Sequence, residues 1–346
     1  CKECVLPDTR PGVNLNANGV CDACVSFREK ALVIDWSERK GRFDSIVEQI
    51  RRKNGKGYDC LIPVSGGKDS TYQVHMIKNV YKLNPLCVTW RTPSRTDLGQ
   101  KNLDNLISLG VDHIDFTINP ETERKLVYKT LVKAGTPSLT SHMASFAVVT
   151  RCAVNFKVPL VVWGESTQME YGGTASDRQN PYLDLQWIKK YGCCNGTTAE
   201  DWIDEDLTEK ELFPYRFPGA EEISASKIQS VFLGYYFSWD PVENFKIAKK
   251  LGFQECETGP KVGSYNFADL DCNFIVIHHF IKWLKFGMVR LFDNISTEIR
   301  NKRMTRAEGI EILKKTKVEP PHKEIKILCD FLKISQEHFW EIMELH

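Results

Sequence analysis

Two stretches of this chain carry residue types whose spacing suits chemistry. The first is Cys1-x2-Cys4, sixteen residues, then Cys21-x2-Cys24. Two residues between thiols let one tight turn present both sulfurs to the same tetrahedral ion, and two such turns close the shell. Four thiolates leave no position for water, so a structural Zn²⁺ is expected at Cys1, Cys4, Cys21 and Cys24. An iron–sulfur cluster uses the same ligand type and stays open as an alternative. The other eight of the twelve cysteines are scattered and do not form an evenly spaced disulfide framework.

The second stretch is Leu61-Ile-Pro-Val-Ser-Gly-Gly-Lys-Asp-Ser70. A buried strand running into Ser65 meets two glycines and then the start of a helix. Gly66 and Gly67 let backbone N–H groups approach an anion closely, and a helix N-terminus adds its positive dipole. Lys68 supplies a full charge, Ser65 and Ser70 supply hydroxyls, and Asp69 is placed to hold Mg²⁺. The loop is not a Walker A motif, because the four-residue spacer and the Lys-Ser/Thr pair are absent.

The elements that position these residues alternate. Apolar runs at Tyr58–Val64, Leu86–Trp90, His113–Thr117 and Leu160–Trp163 read as strands. Helical spacing at Ser70–Val80, Leu98–Leu109, Glu121–Lys133 and Met143–Phe156 fills the intervals. Such alternation predicts an α/β fold, a Rossmann-like (HUP-type) parallel sheet with helices on both faces. Its ligands bind beyond the carboxyl ends of the strands. Residues 1–35 read as a zinc knuckle too small for its own core, 36–180 as the α/β domain that carries the glycine loop and 181–346 as a mainly helical C-terminal region. In 36–180, a connector helix from Trp36 ends in the basic run Arg51–Gly57. In 181–346, Phe274–Phe286 is the most apolar segment, and Pro320-Pro321 splits two or three short amphipathic helices.

Forty-six basic and forty-five acidic side chains leave a formal charge of +1. That balance gives no electrostatic footprint for nucleic acid or an anionic membrane. Neither a membrane-spanning apolar run nor an export signal is visible, so a cytoplasmic protein is expected.

The loop resembles that of the PP-loop ATP pyrophosphatases, whose signature is Ser-Gly-Gly-x-Asp-Ser at this place in the fold. The resemblance implies cleavage of ATP to AMP and pyrophosphate with transient adenylation of a carbonyl or amide oxygen. Further stretches are similar to the N-acetyl sugar amidotransferases of bacterial surface-polysaccharide (lipopolysaccharide and O-antigen) synthesis. These are Cys1-Lys-Glu-Cys-Val-Leu-Pro-Asp-Thr-Arg-Pro-Gly12, Gly19-Val-Cys-Asp-Ala-Cys24, Tyr58-Asp-Cys60, Trp163-Gly-Glu165, His278 through Gly287, Arg290, Ile299-Arg300 and Thr305-Arg306. The likeness runs from Cys1 to about residue 320. It implies conversion of a sugar N-acetyl group to an acetamidino group. A nucleotide-sugar substrate and ammonia from a separate glutaminase subunit are expected with it.

Beside that resemblance, further residues become site candidates. Gly164 and Glu165 end a strand and Glu170 follows; these carboxylates suit Mg²⁺ or the orientation of ammonia, or else cap a strand and face solvent. Trp90, at another strand end, offers its backbone to adenine, or its indole belongs to the core. His278, Lys282 and Lys285 share one helix face opposite Ile277, Phe280, Ile281 and Leu284. That basic stripe suits a substrate pyrophosphate or uronate, with Arg290 nearby, or is a solvated face. Lys261, Tyr265, Asp269 and Asp271 form a candidate substrate loop. Two other readings remain: an RNA-thiolating enzyme on the same fold, using Cys152, Cys193 or Cys194, and a zinc module that senses ATP without turnover.

Overall fold

The computed structural model describes residues 1–53 and 55–346; Asn54, inside the basic run that closes the connector helix, lies outside the described residues. Five parallel strands form one sheet in the order β3-β2-β1-β4-β5. They are β1 (Cys60–Pro63), β2 (Pro85–Trp90), β3 (Asp112–Phe116), β4 (Leu160–Trp163) and β5 (Gln229–Phe232). β1 and β4 are almost wholly buried apolar runs, as strands covered on both faces must be. β3, at one edge, is the half-exposed Asp-His-Ile-Asp-Phe.

Helices α1 (Asp22–Leu32) and α2 (Trp36–Lys53) precede the sheet. α3 (Lys68–Val74) and α4 (Asp97–Ile107) connect β1 to β2 and β2 to β3, and α5 (Pro120–Ala134) and α6 (Leu139–Asn155) return the chain to β4. The strand order reverses direction after β3. Right-handed crossovers therefore put α3 and α4 on one face and α5 and α6 on the other. The α/β reading with a parallel sheet, a four-cysteine N-terminus and a helical C-terminal region holds.

Three features depart from the sequence reading. The 181–346 region is not purely helical, since β5 pairs in parallel with β4 through Leu160–Gln229 to Trp163–Phe232. α1 lies inside the stretch read only as a zinc knuckle, where Cys21 caps it by accepting from Cys24 N. The helix expected over Ser70–Val80 is α-helical only to Val74 and widens to π-type over His75–Val80.

After β5 come α7 (Pro241–Lys250), α8 (Phe274–Phe286), α9 (Arg290–Arg300), α10 (Arg306–Lys315), α11 (His322–Leu332) and α12 (Gln336–Met343). Ile277, Phe280 and Ile281 of α8 pack with Ile325 and Leu328 of α11, Phe339 of α12 and Leu131 of α5. Leu284, expected on that apolar face, is instead 48% exposed. The knuckle buries Leu6, Val13 and Val20 beside its cysteines and rests on Phe292 and Ile299 of α9. Arg306 adds hydrogen bonds from Nε to Cys4 O and from Nη2 to Cys1 O, at 3.0 and 3.1 Å.

Candidate active site

The sheet fixes where a ligand can sit. The chain winds from β1 outward to β3, then crosses back to β4 on the other side of β1, so the switch point lies between the carboxyl ends of β1 and β4. Ser65 follows one of these strands and Gly164-Glu165 the other. Ser65, Asp69, Ser70, Trp90, Gly164, Glu165 and Asp271 all line one cavity of about 440 Å³ there.

The loop geometry follows from its residues. Gly66 has φ +81°, and a Cβ added to it would lie 2.5 Å from Leu103 N, so only glycine fits. Gly67 N donates to Ser65 Oγ at 3.3 Å, while Ser70 Oγ and Thr71 Oγ1 donate to Gly67 O at 2.9 and 3.1 Å. Lys68 Nζ stands 2.7 Å from Asp69 Oδ2, and Asn244 Nδ2 of α7 donates to Asp69 Oδ1 at 3.1 Å. The hard oxygen donors of Asp69, Glu165, Asp269 and Asp271 around a phosphate loop fit Mg²⁺. Among the described residues no three carboxylates come together as a finished metal cage, so nucleotide oxygens would complete the coordination.

The loop before α8 forms the opposite wall. Phe267, Ala268, Asp269, Leu270 and Asp271 face Ser65 through Ser70 across a small pocket that Arg290 also lines. Thr96 N donates to Asp271 O at 3.0 Å and Asn273 N to Ser94 O at 3.0 Å, which pins this loop to the segment after β2. Arg290 Nε lies 3.2 Å from Asp269 Oδ2. Arg290, expected on a substrate surface, thus stands at the phosphate loop itself. Burial raises the Asp271 carboxyl. Glu165 rises to about 7, first through burial and then through its neighbours Glu170 and Asp69.

A second cavity of about 480 Å³ adjoins the first, and Ser138 and His142 line both. Arg10, Lys189, Lys190, His278, Lys282 and Lys285 line it, and none of its lining residues is acidic. Lys285 Nζ donates to Ala134 O at 2.8 Å, and Lys282 Nζ lies 4.0 Å from Asp293 Oδ2. Burial lowers the Lys282 ammonium, the His278 imidazole and, to about 4, the His142 imidazole. The stripe on α8 therefore faces a cavity and not bulk water. Arg10, from the knuckle, and Lys189-Lys190 were not legible as cavity residues, because nothing in their local sequence marks the fold that brings them there.

Three expected residues reach neither cavity. The Glu170 carboxylate is held by Lys30 of α1 in a largely buried ion pair. Tyr265 donates to Glu298 and stacks on Phe267 at 4.8 Å, and Lys261 lies outside the lining of both spaces.

The four thiols of Cys1, Cys4, Cys21 and Cys24 place their sulfurs within 4.8 Å of one another, with Cys4 and Cys21 at 3.6 Å. Tetrahedral Zn–S bonds near 2.3 Å require sulfurs about 3.8 Å apart, so the cluster fits Zn²⁺. Backbone N–H groups of Cys21, Cys24 and Leu6 point at these sulfurs over 3.3–3.5 Å, as they do toward thiolates. No helix among the described residues is long and apolar enough to cross a membrane.

The Ser-Gly-Gly-Lys-Asp-Ser loop after the central strand of a parallel sheet is similar to the PP-loop in both its residues and its place in an α/β fold. Residues 262–346, a quarter of the chain, match the family model "LPS biosynthesis protein WbpG-like, C-terminal domain". Over 89 residues, 25% of this chain, the sequence is 30% identical to the uncharacterized protein MJ1599 of Methanocaldococcus jannaschii, and the match spans 31% of that protein's length. Among solved structures, NMN synthetase from Francisella tularensis aligns over 87% of this chain and 94% of its own, at 10% identity and TM-score 0.36. The NH3-dependent NAD synthetase of Campylobacter jejuni aligns over 83% and 99%, at 14% identity and TM-score 0.32.

Proposed function

We propose that this chain is an ATP-dependent amidotransferase of lipopolysaccharide or O-antigen synthesis that turns the N-acetyl group of a nucleotide-activated sugar into an acetamidino group. One observation carries the reading. A phosphate loop and an elevated carboxyl, Glu165, face one chamber at the switch point, and a cavity whose charged lining residues are all basic opens beside it.

An amide carbon is a poor electrophile and its oxygen a poor leaving group. The amide oxygen attacks the α-phosphorus of ATP, forming an O–P bond as pyrophosphate leaves with the electrons of the broken P–O bond. Lys68, the loop N–H groups and Arg290 stabilise the departing charge. Mg²⁺, held by Asp69 together with phosphate oxygens, would neutralise further charge there. Ammonia attacks the activated carbon, and AMP departs with the C–O bonding pair. Glu165 takes the proton that the new nitrogen sheds, a role suited to a group titrating near neutrality. The basic cavity holds the anionic nucleotide portion of the sugar. Ammonia comes from a separate glutaminase, since no cysteine here lies in a recognisable glutaminase context.

The thiolation reading needs a low-pKa cysteine. Burial pushes the Cys152 thiol up and the Cys194 thiol up to about 12, which favours the amidotransferase. The test is pyrophosphate release with MgATP and ammonium across a panel of nucleotide-activated N-acetyl sugars and bulk tRNA. Sugar-dependent release, with a product lighter by the difference between O and NH, supports the proposal; release that needs tRNA and a sulfur donor overturns it.

A further inference from the structure

The two cavities meet at a neck that carries no charge. Among the described residues only Ser138 and His142 line both spaces. They stand four apart at the start of α6 and so share one face of its first turn. On one side of them lie the carboxylates Asp69, Glu165, Asp269 and Asp271, and on the other the cations Arg10, Lys282 and Lys285. Ser138 is the N-cap of α6, yet its hydroxyl makes no capping hydrogen bond, which a serine there ordinarily does. It is 8% exposed, and neither its hydroxyl nor the His142 imidazole has a hydrogen-bond partner among the described residues. Neither group is sealed in the core, so both open on cavity space. The nearby His278 differs, since its Nδ1 meets Thr136 Oγ1 at 3.4 Å. Burial lowers the His142 imidazole to about 4, so at pH 7 it is neutral and offers one acceptor and one donor.

A nucleotide sugar is anionic at its phosphates and uncharged at its N-acetyl group. With the anion among the cations of the second cavity, the uncharged part falls at the neck. We propose that Ser138 and His142 seat the N-acetyl sugar, a ring nitrogen of His142 accepting the amide N–H and the Ser138 hydroxyl bonding a hydroxyl of the sugar ring. This seat, which rests on the amidotransferase reading, is where the two substrates touch. The N–H and C=O of an amide point in opposite directions, so the contact leaves the oxygen free to meet the α-phosphorus. As the O–P bond forms, the C–N bond gains double-bond character and positive charge grows on nitrogen. A neutral acceptor on that N–H therefore binds more strongly in the transition state than before it. Nothing in the local sequence marks either residue, because the junction exists only in the fold.

The test is calorimetric titration of the full chain, loaded with α,β-methylene-ATP. The titrants are the nucleotide sugar that drives pyrophosphate release and its ester counterpart, in which oxygen replaces the amide N–H. Wild type is expected to bind the amide about tenfold tighter. His142→Leu should bind the two alike, and its kcat for pyrophosphate release should fall about tenfold or more while KM for ATP moves little. His142→Asn and His142→Gln place an acceptor near Nδ1 and Nε2 respectively, and one of them should restore the preference. Ser138→Ala should weaken amide and ester together. An amide preference that persists in His142→Leu, or that wild type lacks, overturns this seat alone. A chain in which no N-acetyl sugar drives pyrophosphate release overturns the amidotransferase reading and the seat with it.

Discussion

Arg10 Nε lies 2.7 Å from Asp293 Oδ1, and this ion pair joins the cysteine knuckle to α9 behind the basic cavity that Arg10 lines. Asp293 is almost fully buried and also faces Lys282 Nζ and Arg290 Nη1, each at 4.0 Å. One carboxylate thus organises a cation from the knuckle, one from α8 and one from the phosphate-loop pocket.

Asp293→Asn should therefore be destabilising, by about 3 kcal/mol, because three partly buried cations lose their shared, fully buried counter-charge. Burial alone would raise the Asp293 carboxyl, but Arg10, Lys282 and Arg290 outweigh it and hold it at about 2. A depressed acid contributes stability above its unfolded value, near about 3.9, and loses it as pH falls through the folded value. The gap between wild type and Asp293→Asn in urea midpoints should hold at neutral pH and narrow as pH falls from about 4 to 2.

Removing the metal should act through the same pair. Knuckle residues 10–12 line the basic cavity, and the turn that carries Arg10 follows directly from Cys4 and Leu6. Zinc chelation, or Cys24→Ser, is expected to lower the melting temperature, because structural Zn²⁺ binding energy is folding energy. Four thiols become titratable at the moment metal is released, and a nucleotide-sugar substrate binds more weakly. Equal melting temperatures with and without bound metal would rule out the structural role.

The sheet and the two strongest sites were legible because their signals are local. Short apolar runs bounded by turn residues give β1, β2 and β4, and cysteine and glycine spacing gives the two candidate ligand-binding loops. β5 was missed because Gln-Ser-Val-Phe is four residues long, with only its last two buried, inside an aromatic-rich stretch. Arg10 and Lys189 were missed for a different reason. Each looks like an ordinary turn or helix-end charge, and only long-range packing gives it a cavity. Glu170 failed in the opposite sense, since the sequence could not show that Lys30 would claim its carboxylate.

The two loop glycines should behave differently. Gly66→Ala forces a side chain into a left-handed conformation costing about 1–2 kcal/mol and drives its Cβ against the α4 backbone at Leu103. Gly67→Ala meets only the Ser65 hydroxyl at 3.2 Å, with an ordinary φ. ATP titration should show binding abolished in the first and weakened only a few-fold in the second. Equal loss in both would mean that the loop tolerates or rejects side chains for reasons other than this approach.

Lys282 tests the basic cavity. Lys282→Met keeps the apolar stem and deletes the charge, removing one charge-assisted contact worth about 1.5–3 kcal/mol. The KM for an anionic nucleotide sugar should rise about tenfold or more, while KM for ATP and kcat move little. A rise confined to KM for ATP would place the nucleotide in the second cavity instead.

Glu165 ties stability to catalysis. Its carboxyl is raised to about 7 by burial, with Glu170 and Asp69 adding repulsion and Arg290 and Lys68 only partly offsetting them. In the unfolded chain a glutamate titrates near about 4.3. A raised acid contributes its stability below the unfolded value and loses it as pH rises through the folded value. Wild-type stability should decline between about pH 4.3 and 7 relative to Glu165→Gln, which stays neutral throughout. The same ionisation makes the base: kcat/KM for ammonia-dependent turnover should climb to a plateau above pH about 7, and Glu165→Gln should lose that limb and about a hundredfold or more in rate. Paired urea and rate measurements across this range separate the two roles. A stability shift with an unchanged rate profile would leave Glu165 as a strained wall of the chamber and move the proton to another group.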